Sequence, residues 1–167
     1  MAKVADAVAR EHLERNLGLV CQSLHHRSGA VFYSGVAAFR GRYPIYLLGY
    51  NPGGDAKKRA KETIGESIRT SKRRTDALWC AYRDEAWKDW APGCERMQCR
   101  VTTLLWKLNL DIRQIPASNL IFERSVDSKK LRQPRYLEER CWPVHAGVIK
   151  DLEIKLVLCL GKETARR

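Results

Sequence analysis

Nine residues constrain this chain most: Tyr46-Leu47-Leu48-Gly49-Tyr50-Asn51-Pro52-Gly53-Gly54. An apolar run ends abruptly in a turn built from Gly, Asn, Pro and two further Gly. Ile45 to Leu48 reads as a short buried strand, because the run is brief, apolar and bounded by turn residues. Gly49 lets the chain leave the strand in a conformation that a side chain would forbid. Pro52 fixes one φ and removes one donor, and Gly53 and Gly54 let backbone and ligand approach closely. In an open α/β sheet, ligands bind at the carboxyl ends of strands. Asn51, the polar side chain pinned in this turn, is therefore the first candidate for chemistry. A plain surface turn uses the same residue types for steric reasons alone, so the rest of the chain has to decide.

Further patterns alternate between helix and strand. Val4, Val8, Leu13, Leu17, Val20 and Leu24 recur at helical spacing, predicting an amphipathic helix that ends by Ser28-Gly29. Phe32-Tyr33-Ser34-Gly35 reads as an extended stretch that either lines a site or covers the sheet. Asp55 is the expected N-cap of a helix reaching Ser71. Leu78, Trp79, Tyr82, Ala86, Trp87 and Trp90 follow at helical spacing, a stripe better suited to a core than to stacking bases. Val101 to Leu108 marks another helix, and Pro116 to Ser125 reads as a turn and a second strand. Pro134 opens a helix with a break expected near Trp142-Pro143, and Ile154 to Leu160 is a third strand. Strands alternating with helices predict a single α/β domain over residues 1–167 with a parallel sheet. The third strand raises a difficulty, since an apolar edge strand invites association. It must lie centrally, be covered by the N-terminal stretch, pair with a partner such as a second copy, or belong to a fold that continues further.

Charge narrows the partner. The 167 residues carry a formal net charge of +12, which favours a polyanion, most simply DNA or RNA. Half of that excess lies in residues 57–74, where Lys57, Lys58, Arg59, Lys61, Arg69, Lys72, Arg73 and Arg74 face only Glu62 and Glu66. Lys129 and Lys130 add a second basic loop. No stretch reaches the length of a membrane-spanning helix. The six Cys, with no export signal before them, read as reduced thiols of a cytoplasmic protein. Cys21 and Cys159 sit in apolar patterns and are expected in the core. The spacing Cys94-x-x-x-x-Cys99 is not that of a zinc ribbon, and no metal or other cofactor is expected.

Three blocks together resemble the uracil-DNA glycosylase superfamily. Leu48-Gly49-Tyr50-Asn51-Pro52-Gly53 is close to the Gly-Ile-Asn-Pro-Gly motif of its mismatch-specific branch. Ser118-Asn119-Leu120-Ile121-Phe122 is similar to the second strand, and Val144-His145-Ala146-Gly147 with Lys155 to Ala165 to the later helix, third strand and Gly-Lys-x-x-Ala turn. The resemblance implies a three-layer α/β/α sandwich around a short parallel sheet, and hydrolysis of the N-glycosidic bond of uracil or a related damaged base in DNA. It implies Asn51 as the residue that positions water, Gly49, Tyr50, Pro52 and Gly53 as the lining of the base slot, and Asn119 as the residue that reads the base. For Asn119 a turn or cap residue after Pro116 is the plain alternative. The basic residues Lys57, Lys58, Arg59, Lys72, Arg73, Arg74, Lys129 and Lys130 would contact DNA. The family's His-Pro-Ser or Asn-Pro-Ser turn, which follows a fourth strand, has no counterpart, so the chain is expected to end before that strand. Two rival readings are a nucleic-acid-binding protein of the same fold without hydrolysis, and an α/β enzyme holding a small nucleotide's phosphate at Gly53-Gly54.

Overall fold

The computed structural model of the protein describes residues 2–166. Strand β1 (Ile45–Gly49) lies at the centre of a parallel three-stranded sheet in the order β2-β1-β3, with β2 at Ala117–Asn119 and β3 at Leu156–Cys159. Leu48 stands opposite Ser118 on one side and Cys159 on the other. The remaining elements are helices: α1 (Ala2–Gly18), α2 (Ile64–Arg73), α3 (Ala81–Asp84), α4 (Arg96–Lys107), α5 (Pro134–Asp151) and α6 (Lys162–Ala165), with short 3-10 turns between them. The fold is α/β, as the alternation of patterns predicts.

Side-chain parity along β1 divides the interior in two. Successive residues of a strand point to opposite faces. Tyr46 and Leu48 join a large core with Leu13 and Leu17 of α1, Ile64 and Ile68 of α2, and Leu137, Val144 and Val148 of α5. Leu47 and Ala117 join a smaller core with Tyr82 of α3 and Val101 and Leu105 of α4. Helices thus cover both faces.

The two sheet edges are treated differently. Residues 29–34 run antiparallel along the outer edge of β2: Phe32 is bridged to Ser118 and Gly29 to Glu123, and Tyr33 N donates to Ala117 O at 2.9 Å. Gly29 is required there, because a Cβ would stand 1.9 Å from Phe122 O. Among the described residues the outer edge of β3 has no strand beside it, and Leu156 is 53% exposed. The third strand is therefore an edge strand, and the N-terminal stretch covers β2 instead.

Several local expectations are corrected. The first helix stops at Gly18, a poor helix former, and the pattern continues as a 3-10 turn at Gln22–Leu24 that still buries Val20 and Leu24. Asp55 caps only a turn, accepting from Lys57 N at 2.8 Å, while α2 starts at Ile64 with Thr63 accepting from Glu66 N. The aromatic stripe of residues 78–90 yields a single helical turn, α3, because its backbone pairs with residues 33–37: Gly35 N donates to Trp79 O at 2.7 Å and Ala81 N to Tyr33 O at 3.0 Å. Tyr82 is buried from that stripe, but Trp90 is 59% exposed. Pro143 does not interrupt α5, since its residue and Trp142 face solvent, where a carbonyl without its helical partner finds water. All six Cys are free thiols; Cys80 and Cys141 are the buried ones, whereas Cys21 is only partly buried and Cys159 is exposed. Cys159 leaves the core because it lies on the open β3 edge.

One buried polar link ties the layers together. His145 of α5 is fully buried, with Nε2 3.1 Å from Leu120 O and Nδ1 2.9 Å from the Tyr46 hydroxyl. A carbonyl can only accept, so Nε2 carries the proton and Nδ1 accepts from Tyr46. This neutral tautomer is enforced by burial, which pushes His145 down to about 4. Unfolding restores an ordinary value near 6.5, so the unfolded chain binds the extra proton between those two values. The stability gained from neutral His145 is complete above about pH 6.5 and falls with pH by up to about 1.4 kcal/mol per unit until about pH 4. Urea unfolding of the parent at pH 7 and pH 5 is expected to differ by about 2 kcal/mol, and His145→Gln to reduce that difference; an equal difference in both proteins would assign the pH dependence elsewhere.

Candidate functional site

Beyond their last paired residues, β1 and β2 keep exchanging hydrogen bonds. Leu120 N donates to Gly49 O at 2.8 Å, Ile121 N to Tyr50 O at 2.9 Å and Ser125 N to Pro52 O at 3.0 Å. The turn after β1 is thereby sewn to the turn after β2, and the carboxyl ends of two adjacent strands form one rigid rim.

Gly49 and Asn119 are opposite each other at this rim, on the face that carries α3 and α4. A Cβ on Gly49 would stand 2.2 Å from Asn119 Oδ1, so the amide of Asn119 occupies the space that glycine leaves open. Tyr33 lies on the same face of the sheet as Asn119, because the neighbouring Phe32 is bridged to Ser118. Tyr33 was within reach of sequence reasoning: the extended stretch around it was visible, but its pairing with β2 was not. Tyr33 packs edge-on against Trp87 at 6.2 Å, and Tyr82 lies 6.3 Å away.

Tyr50 turns the other way. Its ring packs on the large core beneath α5, and its hydroxyl donates to Glu138 at 3.3 Å. Gly49 and Asn119 are thus brought together, while Tyr50 contributes its backbone to the rim and its ring to the opposite face. Pro52 is buried, and Gly53 is exposed at the tip.

Asn51 is held by one end. Its Nδ2 donates to Ser125 Oγ at 2.9 Å, Pro52 O at 3.0 Å and Glu123 O at 3.3 Å. Ser125 in turn donates its own proton to Asp127 O at 2.7 Å, which leaves its oxygen as an acceptor for Asn51. Every partner of Nδ2 is an acceptor, so the amide cannot flip without facing oxygen to oxygen. Among the described residues nothing donates to Oδ1, which is therefore the end able to accept from a water or a ligand.

Cations surround the rim in two groups. Arg124 is nearly buried, with 9% of its side chain exposed; Nη1 donates to Gly53 O at 2.6 Å and Nη2 to Glu62 at 2.9 Å. Arg59 shares that Glu62 at 3.2 Å. Lys57, Lys58, Lys129 and Lys130 are exposed on the turns that follow Gly54 and Ser125. Lys72, Arg73 and Arg74 belong to a second group at the far end of α2, roughly 15 Å along a ten-residue helix. There Arg73 pairs with Glu66 at 3.2 Å, and the Arg74 guanidinium lies 3.4 Å from the centre of the Trp79 ring. Arg10 donates to the carbonyls of Lys72 and Arg74. The basic run of the sequence is thus split between the rim and a separate surface.

Two shallow grooves lie away from the rim, one between Val8 and Phe39 and one beside Arg73 and Asp76. Among the described residues no group of three or more His, Cys, Asp or Glu is arranged to hold a metal ion.

An Asn51→Asp variant tests the one-ended grip. A carboxylate would place oxygen against three acceptors, so a loss of about 1–3 kcal/mol relative to the parent is expected at pH 7. Protonation restores a donor, so the gap to the parent should narrow at pH 5 in urea unfolding. A gap that does not depend on pH would mean that Nδ2 is not gripped in this way.

No family model, curated protein or solved structure matches this chain.

Proposed function

We propose that the chain binds DNA and that the rim between β1 and β2 is a base-excision site of uracil-DNA glycosylase type, hydrolysing the N-glycosidic bond of uracil or a related damaged base. The observation that carries this reading is the one-ended grip on Asn51 beside the Gly49–Asn119 pair. Cleavage needs a water held below the sugar, an oriented amide beside the base, and room between them. Asn51 Oδ1 accepts a hydrogen bond from that water and orients it. An amide is a poor base, so this chemistry relies on positioning more than on proton abstraction. Asn119 offers an amide to the polar edge of a pyrimidine extruded from the stack. Lys57, Lys58, Arg59, Lys129 and Lys130 take the phosphates next to the rim, and Lys72, Arg73 and Arg74 those further along the strand.

A second reading, binding without hydrolysis, is favoured by one observation: Glu123 and Glu62, two carboxylates beside the turn, are already paired. Glu123 is bonded to Arg27, and Glu62 to Arg59 and Arg124. The small-nucleotide reading is the weakest, because the chain after Gly54 forms a turn rather than a helix whose N-terminus could hold a phosphate. Among the described residues no helix is long and apolar enough to cross a membrane. Six free thiols fit a reducing compartment, and a cytoplasmic location is part of the proposal.

Base release decides between the two main readings. Incubation with uracil-containing single strands and G·U duplexes is expected to produce alkali-labile sites, with Asn51→Ala slowing their formation about a hundredfold. Salt-sensitive binding without such sites would establish the binding-only reading. Replacing Lys57 and Lys58 with Gln should lower the slope of log K against log salt by just under one per lost contact; an unchanged slope would remove them from the interface. Pairing of β3 edges in two copies is a further part of the proposal, and a monomer at all concentrations in sedimentation would exclude it.

A further inference from the structure

The far end of α2 carries a stacked pair of side chains. The Arg74 guanidinium lies 3.4 Å from the centre of the Trp79 ring, so the cation rests on the face of the indole. Among the described residues Arg74 forms no ion pair, and the ring rather than a carboxylate holds it. The backbone beneath the pair is fixed by Arg10, which donates from Nη1 to Lys72 O at 3.2 Å and from Nη2 to Arg74 O at 3.3 Å. Arg74 also lines a shallow groove of about 380 Å³, together with Thr70, Arg73, Thr75 and Asp76. Asp76 is the carboxylate among these, and its Oδ1 already accepts from Leu78 N at 3.0 Å. Arg73 pairs with Glu66 at 3.2 Å but keeps 70% of its side chain exposed, and Lys72 is exposed beside it.

Two kinds of cation therefore meet at the groove. Arg74 is flat and held in place, whereas Lys72 and Arg73 are free to follow a ligand. A flat guanidinium stacks on the face of a heterocyclic base, and the indole beneath it extends the platform. Inside a duplex both faces of a base are covered by its neighbours, so only an unpaired base can lie on such a platform. Exposed cations beside it suit the phosphates on either side of that base. We propose that the groove at the end of α2 is a stacking site for an unpaired base of single-stranded DNA, with the base on the Arg74–Trp79 pair and the flanking phosphates on Lys72 and Arg73. The proposal deepens the DNA-binding reading above, on which it rests, and does not depend on hydrolysis at the rim. It gives Arg74 a task beyond its charge: to distinguish an open strand from a paired one.

Arg74→Lys keeps the charge and removes the flat cation. Fluorescence anisotropy would compare three labelled probes: an oligothymidine, a strand of the same length built from abasic sugars, and a duplex. The parent is expected to bind the oligothymidine about tenfold more tightly than the abasic strand. Arg74→Lys should lose most of that difference, with its affinity for the abasic strand and the duplex and its salt dependence unchanged. Retained duplex binding also shows that the variant is folded. Lys72→Gln is the contrasting variant, and should weaken all three probes alike and lower the salt slope. A parent that does not distinguish the two strands would overturn the stacking site and leave DNA binding standing. So would an Arg74→Lys variant that distinguishes them as well as the parent, or one that loses all three probes equally. A parent that binds none of the probes would overturn the DNA-binding reading and this proposal with it.

Discussion

Strand β1 must satisfy four sides at once. Its backbone is bonded to β2 on one edge and β3 on the other, and its side chains are buried on both faces. Such a strand can carry no charge and needs an apolar residue at nearly every position. Tyr46 is the exception, and its hydroxyl is admitted because His145 accepts it. His145 in turn bonds Leu120 O, just past the end of β2. This buried polar pair therefore helps to fix where β1 and β2 end, which is where Gly49, Asn51 and Asn119 stand.

Rigidity at that rim has an electrostatic counterpart. Arg124 is bonded to Gly53 O and Glu62, and Glu62 also holds Arg59. A buried guanidinium needs such partners to offset its desolvation. Because one carboxylate serves two cations, the arrangement is held in place without being neutralised. The exposed lysines beside it have no such constraint and gain little from any single pairing in water. Fixed charge close to the rim and adjustable charge around it are suited to different tasks: the first can act on a reacting group, the second can follow a flexible polyanion.

The sequence made some of this legible and hid the rest for identifiable reasons. The central strand and its turn were visible because a short apolar run bounded by Gly and Pro has few alternative structures. The α/β class followed from the alternation of patterns. The aromatic stripe of residues 78–90 misled, since its spacing matches a helix while its backbone is claimed by residues 33–37, a pairing some 45 positions distant. The same long-range pairing hid Tyr33, which shares a face with Asn119 only because residues 29–34 lie along β2. The basic run was read correctly as charge but not as geometry: α2 begins at Ile64 rather than near Asp55, and that shift separates its cations into two groups.

The grip on Asn51 bears on why an amide stands at this position. On the hydrolytic reading proposed above, a carboxylate, the stronger base, would be the obvious choice for activating water. Here the neighbouring acceptors, Pro52 O, Glu123 O and Ser125 Oγ, belong to the hydrogen bonds that join the two turns. Replacing their donor with a second oxygen would oppose the joint itself. Only a side chain with a donor at one end and an acceptor at the other can close the turn and still present oxygen outward, and asparagine is the shortest that does so. On this argument the identity of residue 51 follows from the local architecture: the loop that places the group also forbids the stronger base.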